Sequence, residues 1–147
     1  MSMVDVGAKP VVLREAVAEG FLRLRAGSVE RIRQGDVEKG DVFAVARVAG
    51  VLAAKRTSEL VPLCHPLSLT DVDVRLAVVD KARVRGEATV RAVERTGVEM
   101  EALVAVSVAL LTVWDMVKPY EKDAAGQYPV TRIEGVRVLR KVKGDGE

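Results

Sequence analysis

The chain has 147 residues, about one domain's worth, and is 49% hydrophobic and 30% charged, so it can build a core and is not a disordered segment. Lys and Arg number 23 against 21 Asp and Glu, a net charge of +2, and 3% of residues are aromatic. Neither the broad field nor the stacking platform of a nucleic-acid binder is present. One Cys, Cys64, excludes an internal disulfide framework, and one His, His65, excludes a zinc site built mainly from His and Cys.

Taken from the N-terminus, Met1-Ser2-Met3-Val4-Asp5 lacks a basic segment followed by an apolar run, so no secretory leader is expected. Val11–Leu24 has helix-forming residues at Arg14–Gly20 but also reads as a strand with Ala16, Ala18, Leu22 and Leu24 on one face. A short helix is expected over Ser28–Arg33 and a longer one over Val42–Thr57, with Asp41 as N-cap and Lys55-Arg56 in its last turn. Leu63-Cys64-His65-Pro66-Leu67 follows, its His65 held between Pro62 and Pro66. Val72, Val74, Leu76 and Val78 then share one face of a strand, and Val84, Gly86, Ala88 and Val90 share one face of the next. Asp80-Lys81 makes the hairpin turn between them.

A second long helix is expected over Gly97–Lys118. Thr96 and Glu99 fit a capping box at its start, and Pro119 helps to end it. The middle of this helix is apolar nearly all round, so one covering sheet would not bury it and self-association is expected. Its charge-free stretch, Ala102–Trp114, falls short of the ~20 residues that a membrane span needs. No membrane partner is expected, and the cytoplasm is the expected location. Ile133–Leu139 reads as a last strand. The order β-α-β-β-α-β is that of an α+β, ferredoxin-like domain, an antiparallel sheet with helices on one face. One domain is expected over 1–147, with about 1–8 and 143–147 loose.

Asp115 and Lys118 stand three apart near the end of the second long helix and can pair; such a pair is either an ordinary surface one or, beside Trp114 and Met116, one able to pass protons. His65 is either a hydrogen-bonded loop residue or a functional one, while Cys64 reads as a small buried group rather than a nucleophile. Glu101 lies about 40° from Asp115 around the helix but about 21 Å along it. A shared site would therefore need a second helix running the other way, from another chain. Lys39 precedes a helix start, a suitable place for phosphate oxygens, yet like Arg14 and Lys9 it is also an ordinary surface charge.

The chain resembles the cyclic pyranopterin monophosphate synthase family (molybdenum cofactor biosynthesis protein C) over nearly its whole length. The resemblance rests on Met3-Val4-Asp5-Val6 with Lys9, Lys39-Gly40-Asp41-Val42-Phe43-Ala44, Ala54-Lys55-Arg56-Thr57, Leu60 to Leu67, Thr96 to Leu103 and Asp115-Met116-Val117-Lys118. It implies a lyase-type enzyme that rearranges a 3′,8-cyclised dihydroguanosine triphosphate to cyclic pyranopterin monophosphate, releasing diphosphate without redox chemistry. It also implies a ferredoxin-like subunit in a homohexamer, a trimer of dimers with sites at dimer interfaces. Carried over by motif, Asp115, Lys118 and Lys39 are catalytic, and Leu63, Cys64, His65, Met100 and Glu101 bind substrate, with Arg14 a phosphate ligand from a neighbouring subunit. No metal or cofactor is expected. Many members carry a Gly- and Lys-rich stretch after the last strand; Arg140 to Gly146 stand there instead, leaving Lys141 and Lys143 without an assigned role. The rival reading is a non-catalytic module of the same fold that binds a small ligand.

Overall fold

The computed structural model describes residues 1–144. Its elements are β1 (Val12–Arg23), α1 (Ala26–Gln34), α2 (Val42–Lys55), the single turn α3 (Thr57–Leu60), β2 (Leu69–Val78), β3 (Arg83–Glu94), α4 (Glu99–Glu121) and β4 (Arg132–Lys143). The strands form one antiparallel sheet in the spatial order β2-β3-β1-β4. β3 thus lies between β1 and β2, the split arrangement that the element order predicts, and α2 and α4 share a core with one face of the sheet. Of the expected loose tail, Lys143 ends β4 and the Gly144 N–H donates to the Leu13 carbonyl at 2.8 Å, while 145–147 lie outside the described residues.

The inner face is built from small residues. Ala16, Ala18 and Leu22 of β1 and Val84, Ala88 and Val90 of β3 are fully buried, as their alternation requires. Gly20 and Gly86 are register partners, and both lie under Leu110 of α4. A Cβ on Gly86 would come within 3.0 Å of Val106 Cγ2 and 3.3 Å of Leu110 Cδ2, so these glycines let the helix settle close to the sheet. The hairpin turns at Asp80, whose carboxylate accepts the Ala82 N–H at 2.8 Å and pairs with Arg83 at 2.9 Å. On the outer face Glu19 sits between Arg85 at 3.0 Å and Arg137 at 2.7 Å. Burial pushes its carboxyl up, but the Arg137 and Arg85 guanidiniums outweigh burial and hold it below the usual range.

Two boundaries differ from expectation. Asp41 does cap α2, accepting the Ala44 N–H at 3.1 Å, but the helix stops at Lys55 and a separate turn begins at Thr57. The Thr57 hydroxyl explains the break: it donates to the carbonyls of Ala53 at 3.2 Å or Ala54 at 3.0 Å, tying off the end of α2. At α4 the Thr96–Glu99 capping box does not form. Glu99 is the first helical residue rather than the third, and Val98 stands at the N-cap with no side-chain bond.

Nor does Pro119 end the helix, which continues to Glu121. Tertiary bonds hold that extra turn. The fully buried Glu121 carboxylate accepts the Arg25 N–H at 3.0 Å, the Thr131 hydroxyl at 2.6 Å and the Ser28 hydroxyl, and Arg25 Nε donates to the Glu121 carbonyl at 3.1 Å. By length and composition alone α4 could cross a membrane; here it is the centre of the core, with Ala102, Ala105, Val106, Ala109, Val113 and Val117 fully buried. One stripe is only partly covered, with Met100, Leu111 and Asp115 exposed and Val104 and Val108 half-buried between them.

Candidate active site

The residues singled out above fall into two clusters at opposite ends of α4. At its C-terminal end, Asp115 pairs with Lys118 one turn on, Nζ to Oδ1 at 2.9 Å, and with Lys39 from the α1–α2 connection, Nζ to Oδ2 at 3.2 Å. Lys39 also donates to the Asp115 backbone carbonyl at 3.2 Å. That second bond has a covalent cause. Residue 119, which would supply the helical N–H to this carbonyl, is a proline and has none. The carbonyl is left for an outside donor, and Gly40, in a left-handed conformation at φ 117°, turns the chain so that Lys39 reaches it.

The Lys118 ammonium, with that of Lys39, holds the Asp115 carboxyl below its ordinary range, and the carboxylate in turn raises Lys118. The cluster is a carboxylate clamped by two ammonium groups at the surface, beside a cleft of about 380 Å³ lined by Leu111, Trp114, Asp115 and Lys118. Chemically this is one proton acceptor and two donors, able to exchange protons with a bound molecule and to offset its negative charge. Trp114 closes the rim, with Tyr128 edge-on to it at 5.3 Å between centroids.

At the N-terminal end of α4, Leu63, Cys64, His65 and Met100 line a second cleft of about 400 Å³, together with Lys9 and Glu99. His65 Nε2 lies 2.7 Å from the Val4 carbonyl and must donate to it, since a carbonyl only accepts. Glu101 points inward from the same end and is buried. Cys64 Sγ donates to its Oε2 at 3.8 Å, and Oε1 is buried without a hydrogen-bond partner among the described residues. Burial pushes the Glu101 carboxyl up, with Glu99 adding to the effect and the Cys64 contact opposing it. Burial likewise pushes the Cys64 thiol up, reinforced by Glu101. A raised thiol beside a carboxylate is a poor nucleophile, as expected of Cys64, but the side chain is half-buried in the cleft wall rather than buried.

The single unbroken α4 keeps Glu101 and Asp115 about 21 Å apart, so one chain does not bring the two clusters together. Arg14 belongs to neither. Its guanidinium is buried and donates to the carbonyls of Glu94 at 3.2 Å, Arg95 at 3.1 Å and Pro10 at 3.4 Å, pinning the segment after β3. Lys141 Nζ comes within 3.8 Å of Glu99 Oε2, which puts the last strand beside the second cleft. Among the described residues no group of three or more His, Cys, Asp and Glu side chains could hold a metal ion. The Lys39–Asp115 and Cys64–Glu101 contacts escaped the sequence reading, because each joins residues distant along the chain. Pro119, four residues after Asp115, was the one local sign that its carbonyl needed a partner from elsewhere.

Comparison with known proteins bears on the whole chain. Residues 3–144 match the model of the MoaC family. A probable cyclic pyranopterin monophosphate synthase of Sulfolobus acidocaldarius is 54% identical over 144 residues, covering 98% of this chain and 100% of the relative. One of the same description from Thermococcus kodakarensis is 55% identical over 145 residues, covering 99% of this chain and 92% of the relative. A probable cyclic pyranopterin monophosphate synthase accessory protein of Methanothermobacter thermautotrophicus is 55% identical over 141 residues, covering 96% of this chain and 88% of the relative.

Proposed function

The chain belongs to the MoaC family, and from that premise we propose that it is a cyclic pyranopterin monophosphate synthase of molybdenum cofactor biosynthesis. It converts 3′,8-cyclised dihydroguanosine triphosphate to cyclic pyranopterin monophosphate with release of diphosphate. The reaction opens a purine ring, builds a pyranopterin and sends a hydroxyl onto the α-phosphate. It needs several proton transfers and firm neutralisation of a triphosphate.

The observation that carries the residue assignment is the Lys118–Asp115–Lys39 cluster. Asp115 acts as the general base and Lys118 as its proton-bearing partner; Lys39 donates a proton or meets phosphate. In the free protein the ammonium groups are spent on Asp115. An arriving triphosphate competes for them, which releases the carboxylate to take up a proton. Leu63, Cys64, His65, Met100 and Glu101 bind substrate from the other end of α4, while Arg14, buried on the Glu94, Arg95 and Pro10 carbonyls of its own chain, is given no phosphate in this reading.

A complete site then takes the Asp115 end from one chain and the Glu101 end from another, with two α4 helices antiparallel. The partly covered stripe from Met100 to Asp115 supports that pairing, because it is apolar between two chemically equipped ends, with Met100 and Leu111 exposed. A second exposed apolar face, Val45, Val48 and Leu52 of α2, supports a further interface. Two distinct interfaces are what a trimer of dimers requires, so the working form is a homohexamer, placed in the cytoplasm. The decisive experiment is Asp115→Asn, which keeps shape and removes the base. Turnover of the cyclised triphosphate should be lost while size-exclusion mass stays unchanged. A variant that turned over normally would take the base role away from Asp115, whereas a wild type that binds the triphosphate without turning it over would favour the non-catalytic ligand-binding module.

A further inference from the structure

Tyr120 occupies the turn of α4 that runs past Pro119 and faces the connection between α1 and α2. Its hydroxyl oxygen accepts the backbone N–H of Glu38 at 3.0 Å. Arg31 lies over its ring, 4.3 Å from the centroid, and itself donates to the Asp36 carbonyl at 3.3 Å and pairs with the Asp36 carboxylate at 3.2 Å. One side chain therefore grips the connection twice, at Glu38 directly and at Asp36 through Arg31. The next residue along is Lys39. The connection folds back between Val37 and Gly40, whose N–H donates to the Val37 carbonyl at 3.0 Å, so Glu38 and Lys39 form its corner.

We propose that Tyr120 is a positioning residue for Lys39, fixing the corner of the loop so that the lysine ammonium meets the carboxylate and the carbonyl of Asp115. A lysine side chain has about 2 kcal/mol of rotamer freedom, so its reach is reproducible only when its backbone is held. The two halves of the device are consecutive residues. Pro119 leaves the Asp115 carbonyl open, and Tyr120 holds the loop whose lysine fills it. Nothing in the core demands a tyrosine there, since a phenylalanine would pack the same ring under Arg31.

The inference rests on the acid–base reading of Asp115 and Lys39, and it can be read without turnover. The charged groups facing Asp115 are Lys118 on its own helix and Lys39 on the loop, with the Tyr128 phenol near Lys118. Loosening Lys39 leaves Lys118 in place, so the Asp115 carboxyl should rise part of the way to its ordinary value.

The test follows the Asp115 carboxyl by carbon NMR titration in the intact oligomer of wild type, Tyr120→Phe, Lys39→Ala and the double variant. Tyr120→Phe should raise the Asp115 midpoint and lower kcat/KM about fivefold, the worth of one hydrogen bond. In the Lys39→Ala background it should move the midpoint no further. Arg31→Ala, which removes the other grip and keeps the tyrosine, should raise the midpoint too, and it serves if the first variant misfolds. An unchanged midpoint in both single variants, or an equal shift with and without Lys39, overturns the proposal. A wild-type protein with no turnover but with the Lys39-dependent shift would sink the functional reading and leave the positioning role supported.

Discussion

Glu101 shows how one side chain can be set against the stability of its own fold. Its carboxyl is buried, one oxygen takes a hydrogen bond from a thiol, and the other has no hydrogen-bond partner among the described residues. The folded protein therefore keeps this proton at pH values where the unfolded chain has released it. Stability should fall as pH rises from the ordinary glutamate range through the raised folded value, and stay lower above it. Glu101→Gln cannot titrate, so urea unfolding from pH 4 to 8 should show wild type losing ground to the variant across that window. Parallel curves would mean that the carboxyl titrates normally in the folded state. At this scale the sequence named the right residue types but not their meetings. Asp115 and Lys118 are neighbours by helix spacing and were legible. Lys39 and Cys64 reach their partners across the fold, where no local pattern points.

The elements themselves were legible wherever hydrophobic period and burial agree. The alternation in β2 and β3, the Asp41 cap and the strand at Val12–Arg23 all follow from local chemistry. What the sequence misjudged was the far end of α4, where a proline should have stopped a helix and a buried carboxylate overruled it. Glu121 collects two hydroxyls and a backbone N–H from α1 and the start of β4. Glu121→Ala should orphan these donors together and cost about 3 kcal/mol or more in denaturant unfolding. The loss should fall on the α1–α4–β4 corner first, seen as faster amide exchange at Arg25. A loss below about 1 kcal/mol would mean that water replaces the carboxylate and that the extra turn stands by other means.

For the whole molecule, the two equipped ends of α4 are the controlling fact. Inactive Glu101→Ala and Asp115→Ala chains, mixed and allowed to exchange subunits, should regain partial turnover, because some pairs join an intact Glu101 end to an intact Asp115 end. No recovery after verified exchange would tell against a shared site. The sequence could supply the separation by helix arithmetic, and it predicted self-association from the apolar girth of α4. The partly covered stripe became visible only once α2 and the sheet had claimed the rest of the helix surface.

That arrangement also sets how damage spreads through a mixed population. If each site draws on two different polypeptides, as proposed, a chain defective at both ends spoils every site it enters, including the half supplied by a healthy neighbour. Blending such chains with normal ones in equal amounts should leave about one quarter of the activity rather than one half, a parabola in place of a straight line.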